Sequence, residues 1–196
     1  MGVVPSKFVL SGVVLAGGKS RRLGREKALL EIDGQATWRR QDELLAAAGC
    51  RQRLLAARAE QTWVPSDAQR IDDAQPECGP LGGLVAALRV CAGTHLLVLA
   101  VDLPRLPLPW IERLSDQCAD GVGAAGRHGG FFEPLAAIYP RELLGDAEDA
   151  LRRGKFSLQA VLELAVTKKL IREVSIAAAE ESWFENWNEP GDVRSS

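Results

Sequence analysis

Val13-Val14-Leu15-Ala16-Gly17-Gly18-Lys19-Ser20-Arg21-Arg22-Leu23-Gly24-Arg25-Glu26-Lys27 is the stretch whose reading decides the fold. Val13 to Ala16 is an apolar run of strand length, and Gly17-Gly18 ends it. The loop that follows carries four Arg or Lys before Lys27 and a single acid, Glu26. Glycine lets the backbone adopt positive φ and come close to a ligand, and successive N–H groups in such a turn form an anion-binding nest. Lys and Arg add the formal charge that a nest lacks. The expectation is a polyphosphate cradle at the carboxyl end of the first strand, where open α/β sheets bind ligands. A solvated basic loop after an edge strand would also contain a Gly-Gly pair near charges. The spacing meets neither the P-loop pattern nor the Gly-x-Gly-x-x-Gly fingerprint of dinucleotide folds.

The rest of the 196 residues frames this loop as a local feature. A net charge of −2 gives no global attraction to nucleic acid or to an anionic membrane, so a small anionic ligand is favoured over a long polyanion. Length, 46% apolar content and 26% charged content fit one globular domain with a sizeable core. Cys50, Cys78, Cys91 and Cys118 form no Cys-x-x-Cys pair and have no His cluster beside them, so they read as small buried hydrophobes. No secretory segment and no apolar run of roughly 20 residues is present, which makes the cytoplasm the default location.

Outward from the loop, strands alternate with helices. Residues 28–35 hold a short strand and an Asp-Gly turn, 38–48 a helix closed by Gly49, and 53–57 a second parallel strand. An extended piece at 70–73 and a turn at Cys78-Gly79-Pro80-Leu81-Gly82-Gly83 precede a helix over 84–91. His95 to Val101 is continuously apolar, as suits a central parallel strand covered on both faces, and it ends in Asp102. Helices follow at 109–118, 141–152 and 157–164, and strands at 122–125, 134–139 and 169–174, with a Gly-rich loop over 126–130. The pattern argues for a three-layer α/β/α sandwich, Rossmann-like, with a mostly parallel sheet.

Asp102 sits where a strand meets a helix, and two roles suit it: holding Mg²⁺ together with substrate phosphates, or capping the next helix. Asp72-Asp73 reads either as a ligand contact beside the Gly-Pro-Leu turn or as a solvated turn. Glu133-Pro134-Leu135 and Asn186-Trp187-Asn188-Glu189-Pro190 are polar segments that suit either a ligand or a turn. His95 and His128 are given no catalytic role.

Taken whole, Leu-Ala-Gly-Gly-x-Ser-Arg-Arg-Leu-Gly-x-x-Lys closely resembles the signature loop of the MobA family, the molybdenum cofactor guanylyltransferases, within the wider α/β nucleotidyltransferases. The resemblance runs from Gly12 to Asp192. It implies that Leu15, Ala16, Gly17, Gly18, Arg22 and Lys27 hold GTP, that Asp73, Gly79, Pro80 and Leu81 bind the nucleoside, and that Asp102 binds Mg²⁺, with Mn²⁺ as a substitute. Asn186 and Asn188 resemble part of the pterin-side pocket. Lys27, Asp102 and Arg22 would be the catalytic groups, with residues 12–102 as the GTP half and 103–193 as the acceptor half of a single domain. The implied reaction moves GMP from GTP to the terminal phosphate of molybdopterin. The implied partners are these small molecules and, transiently, proteins of the cofactor pathway and recipient molybdoenzymes. A CTP-using relative, a sugar-phosphate nucleotidyltransferase and a non-catalytic nucleotide-binding module are the alternatives. The chain departs from the family pattern at Leu23, where Met is usual, and after the second strand, where Leu55-Ala56-Ala57-Arg58 offers no Asn.

Overall fold

The computed structural model describes residues 8–17, 26–58, 60–65, 68–73 and 77–187. In chain order the strands are β1 (Leu10–Leu15), β2 (Glu31–Ile32), β3 (Gln35–Ala36), β4 (Gln52–Ala56), β5 (Gln69–Ile71), β6 (His95–Ala100), β7 (Gly123–His128), β8 (Phe131–Phe132), β9 (Ala136–Pro140) and β10 (Ile171–Ser175). The helices are α1 (Thr37–Ala47), α2 (Pro80–Val90), α3 (Leu108–Gln117), α4 (Leu144–Arg152) and α5 (Leu158–Thr167). Among the described residues, one sheet runs in the order β10-β7-β9-β6-β1-β4-β5, with β8 paired to β7. β1 lies parallel to both β4 and β6, and β5 parallel to β4, while β9 runs antiparallel to β6 and β7.

The continuous apolar runs of β1 and β6 follow from helices on both faces. Val13 and Leu15 of β1, with Leu96 and Val98 of β6, face a core shared with α2, α4 and α5. Their neighbours Val14, Leu97 and Leu99 face a second core with α1 and α3. Successive side chains of a strand point to opposite faces, so a strand covered on both must be apolar throughout. This is the expected three-layer sandwich. All four cysteines are buried, and none is in a disulfide. His95 is fully buried at the start of β6, its ring nitrogens 3.0 Å from Thr94 Oγ1 and 3.1 Å from the Val122 carbonyl.

Two boundaries differ from the sequence reading. α2 begins at Pro80, so the glycines read as a turn form its first helical turn. A Cβ on Gly83 would come within 2.9 Å of Leu15 Cδ2, so the glycine lets this helix pack closely against β1 without shifting that side chain. β7 runs through Gly126 to His128, where a loop was expected. A Cβ on Gly126 would sit 2.7 Å from the Trp110 ring, so that glycine serves packing, and the turn falls at Gly129-Gly130 with φ 55° and 87°. The Asp33-Gly34 pair, with φ 52° and 76°, closes the β2–β3 hairpin as the Asp-Gly signal requires.

Candidate active site

A cleft of about 480 Å³ opens at the carboxyl ends of β6, β1, β4 and β5. Its lining includes Leu15, Ala16 and Gly17 after β1, Arg58 after β4, Asp73 after β5, Gly79, Pro80 and Gly83 at the start of α2, and Asp102 after β6. Gly18, Arg22 and Asn188 lie outside the described residues. Parallel strands bring these residues together because all four ends point the same way.

Lys27 and Asp102 face each other across the mouth, with Nζ 3.8 Å from Oδ2. Lys27 opens a short 3-10 turn, and its carbonyl accepts from the Thr37 hydroxyl at 2.7 Å and the Leu30 N–H at 3.1 Å. The start of α1 thereby fixes the backbone that carries the lysine. Asp102 is held by a turn in which the Leu103 N–H donates to the Ala100 carbonyl, and its own carbonyl accepts from the Trp187 N–H at 3.0 Å. α3 starts at Leu108 with Pro107 at its cap, so Asp102 is not a helix cap. Its Oδ1 is buried and meets no hydrogen-bond partner. Burial pushes the carboxyl above the usual carboxylate range, against the pull of Lys27 and a backbone hydrogen bond. A buried, unpartnered carboxylate oxygen beside a cleft is costly unless something else completes it. A hard divalent cation is such a group, so the residues fit Mg²⁺.

Asp73 lies at the β5 side of the cleft. A Cβ built on Gly17 would be 3.3 Å from Asp73 Oδ2 and 3.7 Å from Arg58 Cγ, which places all three residues in contact. Burial raises the Asp73 carboxyl above its usual range, Arg58 pulls it down, and Asp72 raises it again. Asp72 itself is 68% exposed and pairs with Arg70 at 3.0 Å, so the solvated-turn role belongs to Asp72 alone. Gly79 and Pro80 line the cleft, whereas the Leu81 side chain is fully buried in the core. Asn186 is exposed beside Trp187, whose N–H ties this tail to Asp102. Burial raises the Glu133 carboxyl, with His128 pulling it down; two residues on, Leu135 lines the cleft and its carbonyl accepts from the Ala100 N–H.

Sequence reasoning missed a polar clamp under the cleft. Gln61 is 2% exposed. Its Nε2 donates to the Ala16 carbonyl at 3.0 Å and to Glu26 Oε2 at 2.7 Å, and its Oε1 accepts from the Arg58 N–H at 2.7 Å. One side chain thus joins the entry of the basic loop, its exit and the segment after β4. The Arg58 carbonyl accepts from Arg70 Nη2 at 2.6 Å. Arg58 could have been found from its place just past a parallel strand; Gln61 carries no such signal.

The site can hold an anionic nucleotide across four strand ends, with cationic groups at one end and a carboxylate for a metal beside them. The family model for the MobA-like NTP transferase domain matches residues 12–172. A probable molybdenum cofactor guanylyltransferase of Opitutus terrae is 40% identical over 93% of this chain and 92% of its own. Another, from Pelotomaculum thermopropionicum, is 32% identical over 93% of this chain and 89% of its own. The solved structure of molybdopterin-guanine dinucleotide biosynthesis protein A from Archaeoglobus fulgidus shares the fold with a TM-score of 0.74, at 24% identity over 94% of this chain and 95% of that one. With the cleft, the sheet order and these matches in agreement, the chain belongs to the MobA-like NTP transferase family.

Proposed function

We propose that this protein transfers GMP from GTP to the terminal phosphate of molybdopterin, forming molybdopterin guanine dinucleotide and pyrophosphate. The observation that carries the reading is the Lys27–Asp102 pair at 3.8 Å, with a buried, unpartnered Asp102 oxygen, at one end of a nucleotide-sized cleft. A passive binder has no use for that costly carboxylate.

The acceptor's phosphate monoester has a second pKa near 6 and is largely ionised at neutral pH. One of its oxygens attacks the α-phosphorus, a new P–O bond forms, the α–β bridging P–O bond breaks, and pyrophosphate leaves. Such a nucleophile needs no general base, in keeping with a cleft whose lining includes no His. The work left to the protein is positioning and charge stabilisation. Gly17 backbone and Lys27 hold the triphosphate, together with Gly18 and Arg22 of the basic loop. Lys27 is rooted to α1 through Thr37, so its ammonium is aimed before substrate arrives. Asp102 would hold Mg²⁺, which supplies Lewis-acid polarisation of the phosphoryl oxygens. Residues 12–102 act as the GTP half and 103–193 as the acceptor half, with Glu133, Asn186 and Asn188 on the acceptor side. Delivery of the product to recipient molybdoenzymes calls for transient protein contacts.

Competition kinetics with GTP, CTP, Mg²⁺ and molybdopterin test the reading. The expected preference for GTP is at least about tenfold, or roughly 1.4 kcal/mol. Equal use of the two would overturn the guanylyl assignment, and a preference for CTP would replace it by cytidylyl transfer. No pyrophosphate release with either would remove the transferase reading.

A further inference from the structure

We propose that Arg58 reads the nucleobase, donating from its guanidinium to the adjacent O6 and N7 acceptors of guanine. This rests on the guanylyltransferase reading and names a base contact in the segment where the chain departs from the family pattern.

The sheet order sorts the cleft. Asp102 ends β6, Gly17 follows β1, Arg58 follows β4 and Asp73 follows β5. Neighbouring strands are about 4.8 Å apart, so Arg58 lies about 10 Å from the strand end that carries Asp102. The Lys27–Asp102 pair marks the phosphate end, which leaves Arg58 and Asp73 at the nucleoside end.

Charge points the same way. Arg58 Nη2 is 3.5 Å from Glu26 Oε1, and both Arg58 Cγ and the Asp73 carboxylate border Gly17. A guanidinium 3.5 Å from one carboxylate and in the field of a second has much of its charge answered and is a poor anchor for a polyphosphate. The nearby Asp73 carboxylate would itself repel one. The guanidinium still offers fixed N–H donors, and its Nε is buried without a hydrogen-bond partner. Directional reading of a neutral acceptor edge is what remains for it. Arg presents such a fork to guanine O6 and N7, whereas adenine puts an amino donor beside N7 and cytosine an amino donor at the equivalent edge.

The backbone is set for this use. The Arg58 N–H donates to Gln61 and its carbonyl accepts from Arg70, at 2.7 and 2.6 Å. A side chain that must discriminate between bases needs such a support, because a loose donor fork accommodates the wrong base as readily as the right one.

Calorimetric titration of GTP, 7-deaza-GTP, ATP and CTP into the wild-type protein, Arg58→Met, Arg58→Lys and Lys27→Ala tests the proposal. Circular dichroism verifies each fold first. The wild type should bind GTP about tenfold more tightly than 7-deaza-GTP, which lacks the N7 acceptor. Arg58→Met should lose that ratio, weakening GTP more than 7-deaza-GTP, which keeps only the O6 acceptor. Arg58→Lys keeps the charge and the buried stem, so it secures the test should the Met variant misfold, and it should lose the ratio as well. Lys27→Ala should weaken all nucleotides alike and keep the ratio. An Arg58 variant that retains the wild-type ratio, or that weakens all four nucleotides equally, overturns the proposal. A wild type that discriminates against 7-deaza-GTP but not against CTP would instead overturn the guanylyl reading.

Discussion

Asp102 illustrates how a single residue can serve the site at the expense of the fold. Its Oδ1 is buried without a partner, and burial lifts its carboxyl above the usual value of about 4 despite Lys27 at 3.8 Å. A carboxyl that binds its proton more tightly when folded favours folding most at low pH. That contribution is lost as pH rises through the raised folded pKa. Asp102→Asn removes the titration and the buried charge. With divalent cations chelated, urea denaturation should therefore find the variant more stable than wild type at pH 7.5, with the gap narrowing as pH falls toward 4. The same substitution should cut turnover by about 10²–10³, the usual worth of a group that stabilises developing charge. A variant that is less stable at pH 7.5, or that turns over at the wild-type rate, would show that the carboxylate is satisfied within the fold. That Lys27, Gly17 and Asp102 line one cleft was legible, because each follows or faces the carboxyl end of a strand that reads as apolar in the sequence. Gln61 was not, because its role comes from contacts with Ala16, Glu26 and the Arg58 N–H that only the folded sheet creates.

At the scale of elements, the entry to α2 shapes one side of the cleft. Gly79 takes φ 63° and ψ −155° just before Pro80 at the first helical position. That region of backbone space is essentially reserved for glycine, and other residues pay about 1–3 kcal/mol to occupy it. A Cβ on Gly79 would meet nothing within 4 Å, so the cost of Gly79→Ala is one of backbone strain and not of a clash. Relief of that strain would swing Pro80 and the helix entry. The expected result is a loss of about 1–3 kcal/mol in stability together with weaker GTP binding. Gly49→Ala is the matched control: Gly49 has φ 80° at the end of α1, away from the cleft, and should lose stability with GTP affinity intact. Equal GTP affinity in both variants would detach the α2 entry from the site. The sequence made the existence of α2 clear but not its start, since glycines read as breakers until the approach of Gly83 to Leu15 is known. β9 was legible as a strand and its antiparallel direction was not, because direction is set by which neighbours it joins.

Over the whole molecule, the two proposed halves are interleaved, and this decides how the protein should unfold. β9, from the acceptor half, pairs with β6 of the GTP half, and the Ala100 N–H donates to the Leu135 carbonyl across the division. Both hydrophobic cores draw on both halves: one joins Val13 and Leu84 to Leu162 and Ile171, the other joins Leu45 and Val14 to Trp110 and Ile138. Cutting between them would strip β6 of a neighbour and open each core to water. A half that loses its partner surfaces cannot offset the entropy of ordering its own chain. Cooperative unfolding in one transition is therefore expected, although the proposed function assigns two substrates to two parts of the chain. The aromatic residues supply the probes. Trp38 and Trp63 lie 6.2 Å apart on the GTP side, and Trp110 is fully buried against Phe184 on the other. Urea titrations followed by far-UV circular dichroism, by the fluorescence of wild type, and by that of a Trp38→Phe/Trp63→Phe variant should each give coincident probes within one protein. A fragment of residues 1–106 should show no cooperative transition at all. Separate midpoints for the two sets of tryptophans, or a folded fragment that binds GTP, would mean that the nucleotide half is an independent unit and that the acceptor strands merely dock onto its edge.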